Sequence, residues 1–278
     1  MMKYKIVADS SSNLFSLSDV DFAAVPLKII TEEKEYVDDA ALDVAAMVSD
    51  LETVKGHTGT SCPNAFDWQE AFGDADAVFA VTITSNLSGC YNAAAVAAEA
   101  YKEEHAGAKV CVLDTLSTGP EMQLIVEKLR ELIGSGMEYD EIVSAIKEYQ
   151  KRTHLLFSLE SLANLARNGR VSPAVAKVAK VLGIRVVGAA SDEGTLEPLH
   201  KSRGEKKVIK AIFSEMEAKG FAGGKVHIAH CFNASTAEDL KSMILTAWPE
   251  SNVNILPCGG LCSFYAEKGG LLVGFESK

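Results

Sequence analysis

Apolar residues recur along this chain in two patterns that predict alternating strands and helices. The largely apolar run at 77–83 is typical of a strand buried on both faces of a parallel sheet, and further strands are expected at 4–8 and 110–113. Polar loops separate these runs from segments with apolar residues at helical spacing, such as 121–133 and 140–151. The pattern predicts an α/β protein in which helices cover a parallel sheet.

Three further segments are expected in the first half of the chain. The run 22–30 predicts a single strand with a proline in its middle, which indicates an edge strand or a bend. Residues 43–54 predict a helix with its first residue, an aspartate, as the N-cap. A second helix over 65–72 is expected to turn Phe66 and Phe72 towards the core.

The second half of the chain predicts another sheet. A length of 278 residues exceeds the usual size of a single core, so two domains are expected. We place the boundary near a short strand at 154–157, with an N-terminal domain over 1–156 and a C-terminal domain over 157–278. Antiparallel strands are predicted at 184–189 and 195–199, around a Ser-Asp-Glu-Gly turn. The other expected elements are helices at 159–166, 173–182, 203–219 and 234–247, and strands at 225–231, at 252–256 and in the tail ending at Phe275.

Composition and charge exclude several classes of function. A hydrophobic fraction of 47% and a charged fraction of 23% are ordinary for a soluble globular protein. The net charge of −11 argues against a nucleic-acid partner and leaves at most transient contact with an anionic membrane. The start of the chain carries no secretory signal, and no segment approaches the roughly 18 consecutive apolar residues of a membrane span. We therefore expect a cytoplasmic protein.

The cysteine and histidine positions predict neither disulfides nor a metal site. The six cysteines lie in apolar or small-residue contexts without a Cys-x-x-Cys pair, so they are expected to be reduced and mostly buried. His227 and His230 are three residues apart in a predicted strand, which places them on opposite faces. We expect no metal and no cofactor.

The most informative stretch follows the apolar run at 77–83. Its turn is rich in hydroxyl and amide side chains and leads into an alanine-rich segment with strong helix propensity. The first amides of a helix lack partners and lie at the positive end of its dipole, which favours an anion. Ser88 either bonds a ligand oxygen there or merely caps the helix, and both interpretations stay open at this point.

Hydroxyl-rich stretches recur at 9–13, 58–61, 84–88 and 114–118. Each precedes a predicted helix, and the stretch at 58–61 is expected to be a loop. The carboxyl ends of parallel strands share one edge of the sheet, where α/β proteins place their sites. The repetition predicts a rim of hydroxyl donors around one crevice, although helix capping would also explain the stretch at 9–13.

Six segments spread over the whole chain form a recognisable set. They are Val7-Ala-Asp-Ser-Ser-Ser-Asn-Leu14, Thr60-Ser-Cys-Pro-Asn64, Ile83-Thr-Ser-Asn-Leu-Ser-Gly-Cys-Tyr-Asn92, Val112-Leu-Asp-Thr115, Asn168-Gly-Arg-Val-Ser172 and Lys201-Ser-Arg-Gly-Glu-Lys-Lys207. In this order they resemble the DegV family of bacterial fatty-acid-binding proteins. The resemblance implies an N-terminal three-layer domain around a parallel sheet, a C-terminal α/β domain with a mixed sheet, and a long-chain fatty acid between or within them.

The resemblance also implies a binding site and a role. In the family a Thr and a Ser hold the fatty acid carboxylate, and they fall here on Thr60 and Ser88, with an Arg of the glycine turn nearby. The protein would be a carrier without a nucleotide site, presenting its acid to a separate kinase subunit that phosphorylates the carboxylate with ATP. Capping of a helix C-terminus is the alternative role for the arginine. The expected ligand-binding set is Thr60, Ser61, Ser88, Gly89, Arg170 and Tyr265.

Two positions add detail to this expectation. The family's tail usually carries a His followed by a Gly-Pro-Gly turn, whereas this chain has Tyr265 in that stretch and charged residues in the turn, which bears on the head-group geometry. Arg203 occupies a position that the family links to engaging the kinase. With Lys206 and Lys207 it forms a basic cluster in an acidic chain, and a solvated helix start is the competing explanation.

A serine-dependent hydrolase acting on a lipid-like substrate is the alternative function. Ser88 would be its nucleophile, but the Gly-x-Ser-x-Gly elbow lacks its first glycine because Asn86 stands there. His57 is the histidine nearest in sequence to the proposed rim. A regulator acting on DNA is least favoured, since the chain is acidic and shows no basic helix-turn-helix.

Overall fold

A computed structural model describes residues 2–172, 175 and 184–278 of the chain. In order, the first half forms β1 (Tyr4–Asp9), β2 (Asp21–Val25), β3 (Lys28–Thr31), β4 (Glu35–Val37), α1 (Val44–Thr53), β5 (Thr58–Ser61), α2 (Ala65–Phe72), β6 (Ala77–Thr82), α3 (Cys90–Glu104), β7 (Lys109–Asp114), α4 (Pro120–Gly134) and α5 (Tyr139–Gln150). The second half forms β8 (Thr153–Leu159), α6 (Ala163–Arg167), β9 (Ile184–Ala190), β10 (Leu196–Arg203), α7 (Glu205–Ala218), β11 (Lys225–His230), α8 (Ala234–Ala247), β12 (Asn252–Pro257), α9 (Gly260–Ala266) and β13 (Leu271–Glu276).

A four-stranded sheet in the order β2-β1-β6-β7 forms the core of the first half. All its pairings are parallel, with Tyr4 opposite Ala77 and Thr82 opposite Asp114. All six residues of β6 are buried, which explains why only the last of them, Thr82, is polar, because a strand covered on both faces needs no polar side. The predicted parallel sheet is confirmed.

The predicted strand over 22–30 is two strands in two different sheets. β2 joins the parallel sheet, whereas β3 pairs antiparallel with β4 and β5 in a separate three-stranded sheet. Pro26 lies between them, at the point where the chain leaves one sheet for the other. The expected loop at 58–61 is also wrong, since these residues form β5, with Thr60 opposite Ile29.

The second half is built on a six-stranded sheet in the order β10-β9-β8-β13-β11-β12. Its pairings are antiparallel except that of β11 with β12, so the predicted mixed sheet is confirmed. The expected domain boundary after residue 156 falls within β8, and the division into two domains stays a prediction. The helix expected from 159 begins only at Ala163, and the helix expected over 173–182 lies outside the described residues apart from Val175.

Helices α1 and α2, predicted over 43–54 and 65–72, are present, but α2 turns a different face to the core. Asp43 caps α1 by accepting a hydrogen bond from the Ala46 amide at 2.9 Å, as expected. In α2, Trp68 and Phe72 are fully buried, four residues apart on one face, whereas Phe66 is 67% exposed. The prediction of a buried Phe66 is therefore wrong.

Helix α4 lies between the two large sheets. It packs against β1 and β6 on one side and against β8, β11 and β13 on the other. Its first seven residues are all buried, which is unusual for a helix start. In the part of the chain that the structure describes, no helix is both long enough and apolar enough to cross a membrane.

A glycine in β13 permits the contact with α4. A Cβ added to Gly274 would lie 2.5 Å from the backbone nitrogen of Glu121 and 2.5 Å from the carbonyl carbon of Pro120. The backbone atoms on both sides of this contact belong to α4 and β13, so neither element can move away easily. The spacing between the helix and the sheet thus depends on the missing side chain.

We expect Gly274→Ala to lower the free energy of unfolding by about 2–3 kcal/mol, because overpacking at a backbone contact forces the helix and the strand apart. Gly134→Ala is the matched control, since a Cβ there meets no described atom within 4 Å at the end of the same helix. Urea denaturation of both variants measures the difference. Equal stability of the two variants would show that the α4–β13 contact adapts without cost.

Candidate functional site

A cavity of about 300 Å³ lies where loops of the first half meet the second sheet. Its polar residues come from β5, from the loops after β6 and β7, from the segment after α6, from the turn before β10, and from α9. Its apolar residues come mainly from β8, β10, β13, α6 and α9. All six residues of the expected ligand-binding set line this cavity: Thr60, Ser61, Ser88, Gly89, Arg170 and Tyr265.

Three of the four hydroxyl-rich stretches reach the cavity. They contribute Thr60 and Ser61, then Thr84 and Ser88, and then Ser117 and Thr118. The fourth stretch, 9–13, does not line it and forms a buried layer behind it. The predicted rim is therefore present with three contributors.

The fourth stretch supports the loops that line the cavity. The carboxylate of Asp9 is fully buried and accepts hydrogen bonds from the amide of Ser11 at 3.1 Å and from that of Ile83 at 2.7 Å. Burial raises the pKa of Asp9 to about 6, although these donors oppose the shift. Asp9 thereby ties the end of β1 to the end of β6, just before the loop that carries Ser88.

Ser88 faces the cavity and also contacts the start of α3. The N-cap position belongs to Gly89, which has no side chain to cap with. The Ser88 hydroxyl accepts a hydrogen bond from the amide of Cys90 at 3.3 Å and donates to its sulfur at 3.2 Å. Ser88 is therefore not the N-cap of α3, although its hydroxyl contacts the first residue of that helix, and its bond to a ligand oxygen stays a prediction.

Thr60 and Tyr265 bring two hydroxyl groups together in one part of the cavity, the polar end. The polar end consists of Thr60, Ser61, Ser88, Gly89, Arg170 and Tyr265. Thr60 Oγ1 lies 2.8 Å from Tyr265 Oη, across 205 residues of sequence. Burial raises the pKa of Tyr265, so the phenol keeps its proton at neutral pH and remains a donor. Tyr265 therefore lines the cavity beside Thr60, while its replacement of the family's tail His stays a prediction.

A buried carboxylate fixes the helix that carries Tyr265. Asp38 accepts hydrogen bonds from the amides of Gly260 at 2.7 Å and Leu261 at 3.0 Å, which begin α9. The first amides of a helix have no partners within it, so an acidic side chain satisfies them well. Sequence analysis missed both α9 and this contact, because the glycine-rich segment has weak helix propensity.

Arg170 extends from the glycine turn after α6 to the edge of the cavity. Its Nε donates to the carbonyl of Leu87 at 3.2 Å, and Nη1 donates to the carbonyl of Asn168 at the C-terminal end of α6. Burial raises the pKa of Tyr265, and the positive charge of Arg170 opposes this rise. The pKa of Cys62 is lowered chiefly by Cys90, and the charge of Arg170 acts in the same direction. Arg170 therefore caps α6, as the alternative interpretation expected, while it keeps its charge beside the polar end.

The apolar lining escaped sequence analysis. Leucines and one phenylalanine project from β8, α6, β10 and β13, and these positions look in sequence like ordinary core positions. The turn between β9 and β10 closes one side of the cavity. There the hydroxyl of Thr84 donates to the carbonyl of Gly194 at 2.9 Å, and the side-chain amide of Asn86 donates to the carbonyl of Glu193 at 2.5 Å. The main apolar lining residues are Leu155, Phe157, Leu159, Leu165, Leu196 and Leu272.

The histidines do not form a metal centre among the described residues, which contain no group of three or more potential ligands. His227 is buried in β11 with Nε2 3.1 Å from Glu127 Oε2, whereas His230 is only partly buried, in agreement with opposite faces of a strand. The hydroxyl of Ser88 has Cys90 as its partner in the described structure rather than a histidine. These contacts give the hydrolase alternative no support.

Comparison with known proteins identifies the family. The DegV family model, described as "Uncharacterised protein, DegV family", matches residues 3–278. This chain belongs to the DegV family. A DegV domain-containing protein of Streptococcus pneumoniae serotype 4 is 42% identical over 279 residues, which cover 99% of each chain.

Two solved DegV structures are similar over the whole chain. A DegV family protein from Eubacterium eligens, loaded with heptadecanoic acid, is 45% identical with a TM-score of 0.97 and covers 99% of this chain and 100% of its own. The Streptococcus pneumoniae Fatty Acid Kinase (Fak) B3 protein, loaded with linoleic acid, is 42% identical with a TM-score of 0.98 and covers 100% of both chains. The expected DegV fold is confirmed, and fatty acids are the ligands of these neighbours.

The basic cluster lies away from the cavity. Arg203 is the last residue of β10 rather than the start of a helix, and Lys206 and Lys207 follow in the first turn of α7. All three are exposed, and none of them lines the cavity. The cluster is therefore a surface feature separate from the candidate binding site.

Proposed function

We propose that this protein binds a long-chain fatty acid in the cavity and presents its carboxylate to a separate kinase subunit that phosphorylates it with ATP. The observation that carries the proposal is the division of the cavity into a polar end and a leucine-rich remainder. The fatty acids bound to the two DegV neighbours, and the kinase named for one of them, support it. The chain itself acts as a carrier without catalysis of its own.

The polar end suits a carboxylate. A buried carboxylate without partners is strongly unfavourable, so its oxygens require several donors. The hydroxyls of Thr60 and Ser88 provide two donors, and the phenol of Tyr265 provides a third. Gly89 also lines the cavity, at the positive end of α3. Arg170 supplies the opposite charge.

The rest of the cavity suits an acyl chain. Each buried methylene contributes roughly 0.8 kcal/mol, so most of the binding free energy would come from the leucine-rich lining. The hydroxyl end would then select the acid and fix its orientation, which places the carboxylate near the surface loops. A kinase needs this arrangement, since it must reach the carboxylate while the tail stays buried.

The protein purified from a bacterial host should carry a long-chain fatty acid in about equimolar amount, because burial of the acyl chain against the apolar lining is more favourable than its exposure to water. Mass spectrometry of an organic extract measures the identity and the stoichiometry of the lipid. An organic extract of an unrelated protein, purified from the same host in the same way, measures the background. Absence of lipid, together with failure to load oleic acid afterwards, would refute the proposed function.

We expect Thr60→Ala and Ser88→Ala each to weaken binding of a fatty acid by about 1–3 kcal/mol, because a charged oxygen loses a donor. The alcohol of the same chain length should lose less. Thr53→Ala and Ser144→Ala are matched controls, since both hydroxyls are exposed on other helices. Calorimetric titration with the acid and the alcohol makes the comparison. Equal losses for both ligands would assign the two residues to packing instead of head-group binding.

Arg203, Lys206 and Lys207 are proposed as the docking cluster for the kinase subunit. Positive charge at the start of a helix opposes its dipole, so helix stability does not explain Lys206 and Lys207 there. An exposed arginine that lines no cavity can act on a partner without touching the lipid. The solvated helix start remains the competing explanation, and it predicts no effect on the kinase reaction.

Arg203→Ala should leave the affinity for fatty acid unchanged and slow the formation of acyl phosphate by the cognate kinase about tenfold, in keeping with the loss of a charge pair at an interface. Lys151→Ala, an exposed lysine after α5, controls for the change in net charge. Lipid titration and single-turnover phosphorylation are measured on the same preparations. A loss of lipid affinity in Arg203→Ala, or equal rates in both variants, would contradict the proposed division of roles.

A further inference from the structure

Two cysteines lie beside the polar end of the cavity and have no part in the proposed function. Cys62 directly follows β5, is exposed, and lines the cavity next to Ser61. Cys90 is the first residue of α3 and is fully buried. One thiol is therefore open to solvent, and the other lies in the interior behind it.

Gly89 allows the two cysteines to lie next to each other. Gly89 precedes Cys90, and a Cβ added to this glycine would lie 3.1 Å from the sulfur of Cys62. The absence of a side chain at Gly89 thus lets Cys62 pack directly against the first turn of α3. The side chain of Cys90, one residue after this contact, is the main cause that lowers the pKa of Cys62.

The surroundings make the two thiols unequal. Cys62 lies near the amide of Gly89 and the charge of Arg170, both of which favour its thiolate. Cys90 is buried and lies near the Asp9 carboxylate, which together with Cys62 raises its pKa. An exposed thiolate beside a buried thiol that keeps its proton is the arrangement of a reactive cysteine and a resolving cysteine.

The other cysteines lack this environment. Cys111 is half-buried in β7, and burial raises its pKa. Burial likewise raises the pKa values of Cys231, Cys258 and Cys262, which lie inside the second half of the chain. Among the six cysteines, Cys62 is therefore the one whose surroundings favour a reactive thiolate.

We propose that Cys62 and Cys90 are a peroxide-reactive dithiol that closes to a disulfide at the polar end of the cavity. The Cys62 thiolate attacks one oxygen of hydrogen peroxide, the O–O bond breaks, and the departing hydroxide takes a proton from solvent to become water. The Cys90 sulfur then attacks the Cys62 sulfenic acid, and its proton leaves with the hydroxyl group as a second water. The two thiols lose two electrons and the peroxide gains them.

The disulfide would change the polar end. It would link the segment after β5 to the first residue of α3, and it would remove the thiol to which Ser88 donates its hydrogen bond. A fatty acid carboxylate bound beside Cys62 would cover this sulfur and disfavour its thiolate through like charge. Protection by a bound acid rests on the proposed function, whereas formation of the disulfide in the empty protein does not.

The test uses the full chain, stripped of lipid and reduced, and then treated with hydrogen peroxide. We expect a loss of two hydrogen atoms in the intact mass and a cross-linked pair of peptides that contain Cys62 and Cys90. Cys62→Ser should abolish the reaction, while Cys90→Ser should stop at a sulfenic acid that dimedone traps. Alkylation of Cys62 should be at least about tenfold faster than that of Cys111, in line with its greater exposure and thiolate character.

Cys111→Ser is the matched control and should oxidise like the parent protein. Cys90→Ala repeats the trapping experiment if the serine variant folds poorly. A disulfide between other cysteines, an unchanged intact mass, or oxidation that survives Cys62→Ser would each overturn the proposal. Adding oleic acid separates the two claims. If the acid gives no protection while the empty protein still forms the disulfide, the dithiol stands and the placement of the carboxylate is refuted.

Discussion

The close contact between helix α4 and strand β13 determines how the two large sheets face each other. One helix packs on both sheets, and its first turn meets the backbone of β13 where Gly274 has no side chain. Protein interiors are packed too densely to absorb a change at such a contact locally. The cavity lies beside this contact, lined by Leu272 of β13 and by Ser117 and Thr118 just before α4, so its width follows from the same spacing.

Behind the cavity, buried carboxylates hold the loops by accepting backbone amides. Asp9 joins the ends of β1 and β6, and Asp38 holds the start of α9. Burial raises the pKa values of both groups, which shows that desolvation outweighs the hydrogen bonds they receive. Asp9 and Asp38 therefore hold the loops in position at a cost in the stability of the folded protein. They keep the residues that carry Ser88 and Tyr265 in fixed positions, which a head-group site requires.

Sequence analysis succeeded where one local rule decides the structure. The almost entirely apolar sequence of β6 predicts a buried strand, and the hydroxyl-rich loops could be placed at one edge because parallel strands end together. It failed where long-range pairing decides. Thr58–Ser61 has no strand pattern and becomes β5 only because β3 lies beside it. The leucines of the cavity were not predictable, because a side chain facing a cavity and one facing the core obey the same hydrophobic pattern.

The contact between the hydroxyl groups of Thr60 and Tyr265 has a consequence for the folding of the protein during its synthesis. The two residues are 205 positions apart, and the second lies in the last helix before the final strand. During synthesis the chain grows from its N-terminus, so the polar end of the cavity does not exist until almost the whole chain has left the ribosome. An unfinished or C-terminally clipped chain therefore lacks the complete cavity, and under the proposed function only a complete chain would retain the ligand.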